Sequence, residues 1–148
     1  MKKIAIILAT DFRDEEAVYP MLRFKENNDM VDIFTSDKDG ISYGKFGFPI
    51  KSNKNLDELD ANYYDVVFIP GGNIGPESLR TNVKVLDFIR EMHSKEKYIF
   101  AICHGPWILI SAGILGGKKA TCYKGIVDDL KNSGATYIDE AFVIDKNI

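Results

Sequence analysis

The chain has 148 residues, of which 45% are hydrophobic and 28% charged, with a formal net charge of −3. That balance suits one globular domain and leaves no basic footprint for nucleic acid or an anionic membrane. No apolar run approaches the roughly 20 residues of a membrane span, and the two cysteines are too few for a disulfide framework and fit a reducing cytoplasm.

The apolar run Lys3–Ala9 is too short for a signal peptide and leads into the charged segment Asp11–Glu16, so it reads as a first core strand. Thr10–Asp14 is a polar turn that could cap a helix. From Glu15 to Asn27 the positions Ala17, Val18, Met21, Leu22 and Phe24 recur at helical spacing, with a kink or late start expected at Pro20. Met30–Thr35 is a second strand. Ser36–Ile50, rich in glycine and aromatics, reads as a hairpin-like excursion. Its glycines match no phosphate-cradling fingerprint. Asn55–Leu59 is at most a short helical turn. Tyr64–Ile69 is another buried strand, ending at Pro70-Gly71-Gly72, and helical spacing returns from Asn82 to Lys95.

Tyr98–Ile102 reads as a strand covered on both faces. Cys103-His104-Gly105-Pro106 then turns abruptly into a helix running to about Ile114 and stopped by Gly116-Gly117. A cysteine at such a junction has the geometry of a nucleophile elbow, with the helix N-terminus favouring a thiolate. The plainer reading of Cys103 is a small core residue. Ala120–Tyr123 could be a short strand, Gly125–Asn132 a short helix, and Thr136–Ile138 with Phe142–Asp145 a terminal pair of strands. Alternating strands and helices imply a mostly parallel sheet with helices on both faces.

Ligands of such sheets bind beyond the carboxyl ends of the strands. Three segments converge there. The turn after the first strand brings Glu16, which could hold a neighbouring thiol; its plainer role is a solvated first helical turn. Gly71 and Gly72 let backbone N–H groups approach a ligand and, with the N–H of His104, could form an oxyanion hole; the alternative is a tight turn. The third segment is Cys103-His104, where the imidazole could serve as base. His93 reads as a solvated helix face. With one usable histidine and separated cysteines, neither a metal site nor a cofactor is expected.

These residues resemble the ThiJ/PfpI superfamily, in both its PfpI-type intracellular cysteine peptidases and its deglycase branch. The similarity lies in Ala101-Ile102-Cys103-His104-Gly105-Pro106, in Phe12–Pro20, in Pro70-Gly71-Gly72-Asn73 with Pro76-Glu77, and in Ile110–Leu115 with Thr121–Ile126. It implies a flavodoxin-like three-layer sandwich with a strained elbow at Cys103 and Glu16 hydrogen-bonded to the sulfur. It implies oxyanion donors at Gly72 and His104, an aromatic, Tyr123, near the pocket, and Glu77 supplied to His104 by a neighbouring subunit of a homo-oligomer, a dimer or hexamer. Arg13 stands where many PfpI-like members carry an acidic residue. The family also carries a final strand and C-terminal helix beyond Ile148, so residues 1–148 are expected to be one domain lacking that end.

The function expected is that of a cytoplasmic, cysteine-dependent enzyme acting on a small carbonyl or peptide, as a glutathione-independent glyoxalase, a deglycase or a peptidase. The alternative is a stress protein that senses oxidants through Cys103 or acts as a chaperone. A class I glutamine amidotransferase needs a downstream His-x-Glu, and no histidine follows His104. A flavodoxin lacks its flavin-phosphate cluster here.

Overall fold

A computed structural model describes residues 1–148. Five strands form one parallel sheet: β1 (Lys3–Leu8), β2 (Met30–Thr35), β5 (Lys54–Asn55), β6 (Val66–Ile69) and β7 (Tyr98–Ala101), in the order β5-β2-β1-β6-β7. The first strand is central because its residues from Ile4 to Leu8 are all apolar and buried, as a strand covered on both faces must be. Chain direction reverses across β1: β2 and β5 lie on one side, β6 and β7 on the other. The crevice beyond β1 and β6 is therefore the place where an open α/β sheet receives a ligand.

Alternate side chains of β1 feed two cores. Ile4, Ile6 and Leu8 pack with Phe12, Ala17, Val66 and Phe68 beneath α1 (Asp14–Glu26). Ala5 and Ile7 pack with Val67, Ile69 and Ile99 beneath α3 (Val83–Ser94) and α4 (Pro106–Ala112). The short helices α2 (Ile74–Leu79) and α5 (Val127–Asn132) add Leu79 and Leu130 to this second core. A hairpin of β3 (Ile41–Tyr43) and β4 (Pro49–Lys51) stands off the sheet, and β8 (Lys119–Ala120) pairs in parallel with β9 (Thr136–Tyr137).

Several expectations change. Pro20 sits inside an uninterrupted α1 that starts at Asp14, so there is no late start. Its missing N–H merely leaves the Glu16 carbonyl without a helical donor. The segment after Gly72, read as loop, contains α2; six residues with Gly and Pro carry too little periodicity to announce a helix. Leu56–Glu58 is a 3-10 turn. The elbow helix stops at Gly113 rather than at Gly116-Gly117, because Gly113 takes the left-handed conformation (φ 74°) that ends helices. Phe142–Asp145 is not a strand; β9 pairs with β8 instead.

The strand before the elbow is not covered on both faces. It lies at the sheet edge, with Tyr98 50% and Phe100 42% exposed, while Ile99 between them is buried. Its outer edge is partly closed by the end of the chain, where the Ile99 N–H donates to the Asn147 carbonyl (2.8 Å) and the Asn147 amide donates to the Lys97 carbonyl (2.7 Å). No helix is long and apolar enough to cross a membrane.

Candidate active site

β7 ends one residue before Ile102, and the chain must reverse within a few residues to start α4. Cys103 makes that turn at φ 61°, a left-handed backbone that costs a non-glycine residue roughly 1–3 kcal/mol. The strain is held by hydrogen bonds on either side. The Ile102 N–H donates to the Ile69 carbonyl (3.2 Å), the Gly105 N–H to the Ile102 carbonyl (2.8 Å), and the Tyr123 N–H to the Cys103 carbonyl (2.9 Å). The side chain is thereby presented to a cleft of 530 Å3 lined by Arg13, Glu15, Glu16, Lys45, Gly72, Asn73, Cys103, His104 and Tyr123. That volume lies within the roughly 300–1,000 Å3 of small-molecule sites.

Glu16, on the first turn of α1, reaches across the crevice. Its carboxyl accepts the Gly71 N–H (3.0 Å) and is hydrogen-bonded to the Cys103 thiol. The approach is possible because position 71 has no side chain: a Cβ there would overlap Glu16 Oε2 and Cys103 Cβ. Gly72 follows at φ 114°, a region closed to most side chains, and its Cβ would strike the Asp11 carbonyl. The N–H groups of Gly72 and His104 both act to favour the thiolate. Gly71, expected with Gly72 as an oxyanion donor, instead spends its N–H on Glu16. The His104 N–H and Gly72 are the pair facing the nucleophile.

Burial raises the Glu16 carboxyl above its usual range, more than the Gly71 N–H and the thiol lower it. Burial also raises the Cys103 thiol, and a charged Glu16 would raise it further, while the Gly72 and His104 N–H groups pull the other way. Two acidic groups that both resist ionisation side by side titrate as a coupled pair.

The His104 ring turns back onto its neighbour, with Nδ1 3.3 Å from Sγ. Adjacent residues do not ordinarily meet; the left-handed elbow is what brings them together. Stacking on Tyr123 (4.7 Å, 28°) and an edge contact with Trp107 (4.9 Å) fix the ring. Burial, then Lys45, lowers its basicity, so the imidazole is neutral at pH 7. Nε2 has no hydrogen-bond partner in the chain. Glu77 lies exposed on α2 and does not line the cleft.

Four lining residues, Arg13, Glu15, Lys45 and Asn73, were not among the expected site residues. Arg13 is ion-paired with Glu15 (2.7 Å). Lys45 lies on a hairpin far from any motif, and only the tertiary fold brings it in. No group of three or more His, Cys, Asp or Glu is placed to hold a metal ion.

Parallel sheet, crevice at the switch point and cysteine elbow together define a flavodoxin-like domain with a cysteine at its strand-to-helix turn. The chain belongs to the DJ-1/PfpI family, whose model matches residues 2–148. It is 41% identical over 145 residues to Deglycase PfpI of Pyrococcus furiosus, covering 98% of this chain and 86% of that one. It is 35% identical over 147 residues to Protein/nucleic acid deglycase 2 of Escherichia coli, covering 99% and 85%. Among solved structures, a two-domain protein of Anabaena variabilis with DJ-1/ThiJ/PfpI-like and ferritin-like domains matches with a TM-score of 0.95 and 34% identity. That match covers 99% of this chain and 42% of the other. Drosophila melanogaster DJ-1beta matches with a TM-score of 0.91 and 25% identity, covering 99% and 78%.

Proposed function

We propose that the protein is a cysteine-dependent enzyme that attacks carbonyl compounds through Cys103, as a deglycase or glutathione-independent glyoxalase, with peptide or amide cleavage as the related reaction of the same site. The observation that carries this reading is the setting of the sulfur: a left-handed elbow presents Cys103 to a cleft shared with Glu16, Gly72 and His104, with the His104 ring 3.3 Å from Sγ. The names of its relatives, deglycases in archaea and in Escherichia coli, favour the first of these reactions.

The reaction needs the charge on sulfur and the proton on Glu16; the Gly72 and His104 N–H groups favour that state, against the burial that raises the thiol. The thiolate adds to the aldehyde carbon of a 2-oxoaldehyde, and the new oxyanion takes the N–H groups of Gly72 and His104. The neutral His104 ring removes the hydrogen from that carbon and returns it to the adjacent carbonyl carbon. A thioester results; water hydrolyses it to the 2-hydroxy acid and restores the thiolate. With the aminocarbinol of such an aldehyde, the thiolate would displace the amine: the C–S bond forms as the C–N bond breaks, the nitrogen takes the Glu16 proton, and the same hemithioacetal results.

His104 Nε2, free of intrachain partners, is suited to a carboxylate from a second copy, and Glu77, exposed and outside its own cleft, is the residue that would supply it in a homo-oligomer. The two free thiols fit an enzyme of the reducing cytoplasm. Replacing Cys103 with Ala is expected to abolish turnover of methylglyoxal and of a peptide amide while leaving the melting temperature near that of the native protein. Activity surviving the change excludes the covalent route. Selective oxidation of Cys103 by mild peroxide, with no turnover of any carbonyl or amide, would instead favour the sensor reading.

A further inference from the structure

The cleft has a side that the reaction above does not use. It is also lined by Arg13 and Lys45. The backbone of both is fixed by the fold, although the Lys45 side chain is exposed. Lys45 sits at the turn of the β3–β4 hairpin, and that turn is fastened to the start of α1. The Lys45 N–H donates to the Phe12 carbonyl (2.8 Å), and the Phe46 and Phe48 N–H groups donate to the two oxygens of Asp14 (2.8 and 3.0 Å). Arg13 uses Nε on Glu15, and its guanidinium lies over the Phe46 ring (4.9 Å), which leaves both terminal nitrogens without a protein acceptor.

The cations of the cleft are unevenly paired. Glu15 offsets Arg13, but Lys45 forms no ion pair. Lys45 is close enough to His104 to act on its charge, and Arg13 close enough to act on Cys103 and Glu16. The cleft also offers far more room than a three-carbon oxoaldehyde can fill. We propose that Lys45, with the free guanidinium nitrogens of Arg13, receives a carboxylate on the substrate, so that the preferred substrate is a carbonyl compound with a carboxylate at its far end. This specificity rests on the cysteine chemistry proposed above, but the anion site itself can be tested apart from that chemistry.

Two alkylating agents of nearly equal size, anionic iodoacetate and neutral iodoacetamide, report the field at Cys103 without any turnover. Each is attacked by the thiolate and loses iodide. Measured in a Cys122→Ser background, the iodoacetate-to-iodoacetamide rate ratio is expected to exceed that of free N-acetylcysteine by roughly fivefold, the scale of one partly exposed ion pair, and to fall with added salt. Lys45→Gln is expected to return the ratio to the free-thiol value, and Arg13→Gln to lower it by a smaller factor. A native ratio at or below the free-thiol value, or one unchanged by Lys45→Gln, overturns the proposal. In a second arm, the kcat/KM ratio of dioxopentanoate, a 2-oxoaldehyde with a terminal carboxylate, to methylglyoxal should fall in Lys45→Gln; an unchanged ratio overturns the substrate assignment. If neither oxoaldehyde is turned over while the alkylation ratio behaves as expected, the anion site stands and the glyoxalase chemistry fails.

Discussion

At the scale of single residues the account turns on where one proton sits. Cys103 and Glu16 are both pushed up by burial, and each disfavours ionisation of the other. If the proton is on Glu16, its O–H donates to the thiolate. Glu16→Leu then removes a donor, and the Cys103 thiol ionises at higher pH than in the native protein; Glu16→Gln, which keeps an N–H donor, shifts it less. If the carboxylate held the charge, Glu16→Leu would remove a repelling group and the thiol would ionise at lower pH. Thiolate absorbance against pH separates the two. Four residues named from the sequence meet in one cleft: Cys103 was marked by a strand running into Gly105-Pro106 and His104 by adjacency, whereas Glu16 and Gly72 were singled out over plainer roles only by the family resemblance. Arg13 and Lys45 were not recognised as lining residues. Adjacency likewise could not say that His104 would touch the sulfur, because that depends on the positive φ at Cys103.

Among the elements, the hairpin and α1 are the pair whose docking shapes the cleft, and Asp14 is the fastener. Burial pulls its carboxyl upward, but the N–H groups of Phe46 and Phe48 outweigh that and hold it below 3.8. A carboxylate depressed in this way stabilises the folded hairpin at pH values above its unfolded pKa and loses that contribution as pH falls through the folded value. Amide shifts of Phe46 and Phe48 are therefore expected to titrate together with a midpoint below 3.8; a midpoint above it contradicts the fastening. Asp14→Ala should cost roughly 1 kcal/mol in denaturant unfolding, the scale of exposed charged hydrogen bonds. The strands β1, β2 and β6 were readable because apolar runs bounded by turns have few alternatives. Tyr98 and Phe100 misled, since an apolar run looks the same in a central strand and at an edge, and α2 was lost because its six residues include Gly75 and Pro76.

For the whole molecule, the parallel sheet with a reversal at β1 brings Glu16, Gly72 and Cys103, far apart in sequence, to one crevice. The strand–helix alternation announced that sheet; strand order came only from the structure. If a second copy supplies Glu77 to His104, specific activity should fall on dilution in step with dissociation seen by light scattering, and Glu77→Ala should lower kcat by roughly tenfold or more, as loss of a group assisting proton transfer does. Activity proportional to concentration through dissociation removes the partner from the mechanism. The central claim is that the Cys103 sulfur becomes covalently bonded to the substrate carbon. Rapid quenching of the enzyme with methylglyoxal, followed by peptide mass analysis, tests it most directly. The account predicts an adduct on the Cys103 peptide that forms at a rate no slower than turnover, absent with Cys103→Ala. Turnover without that adduct, or the adduct confined to lysine and arginine side chains, contradicts it.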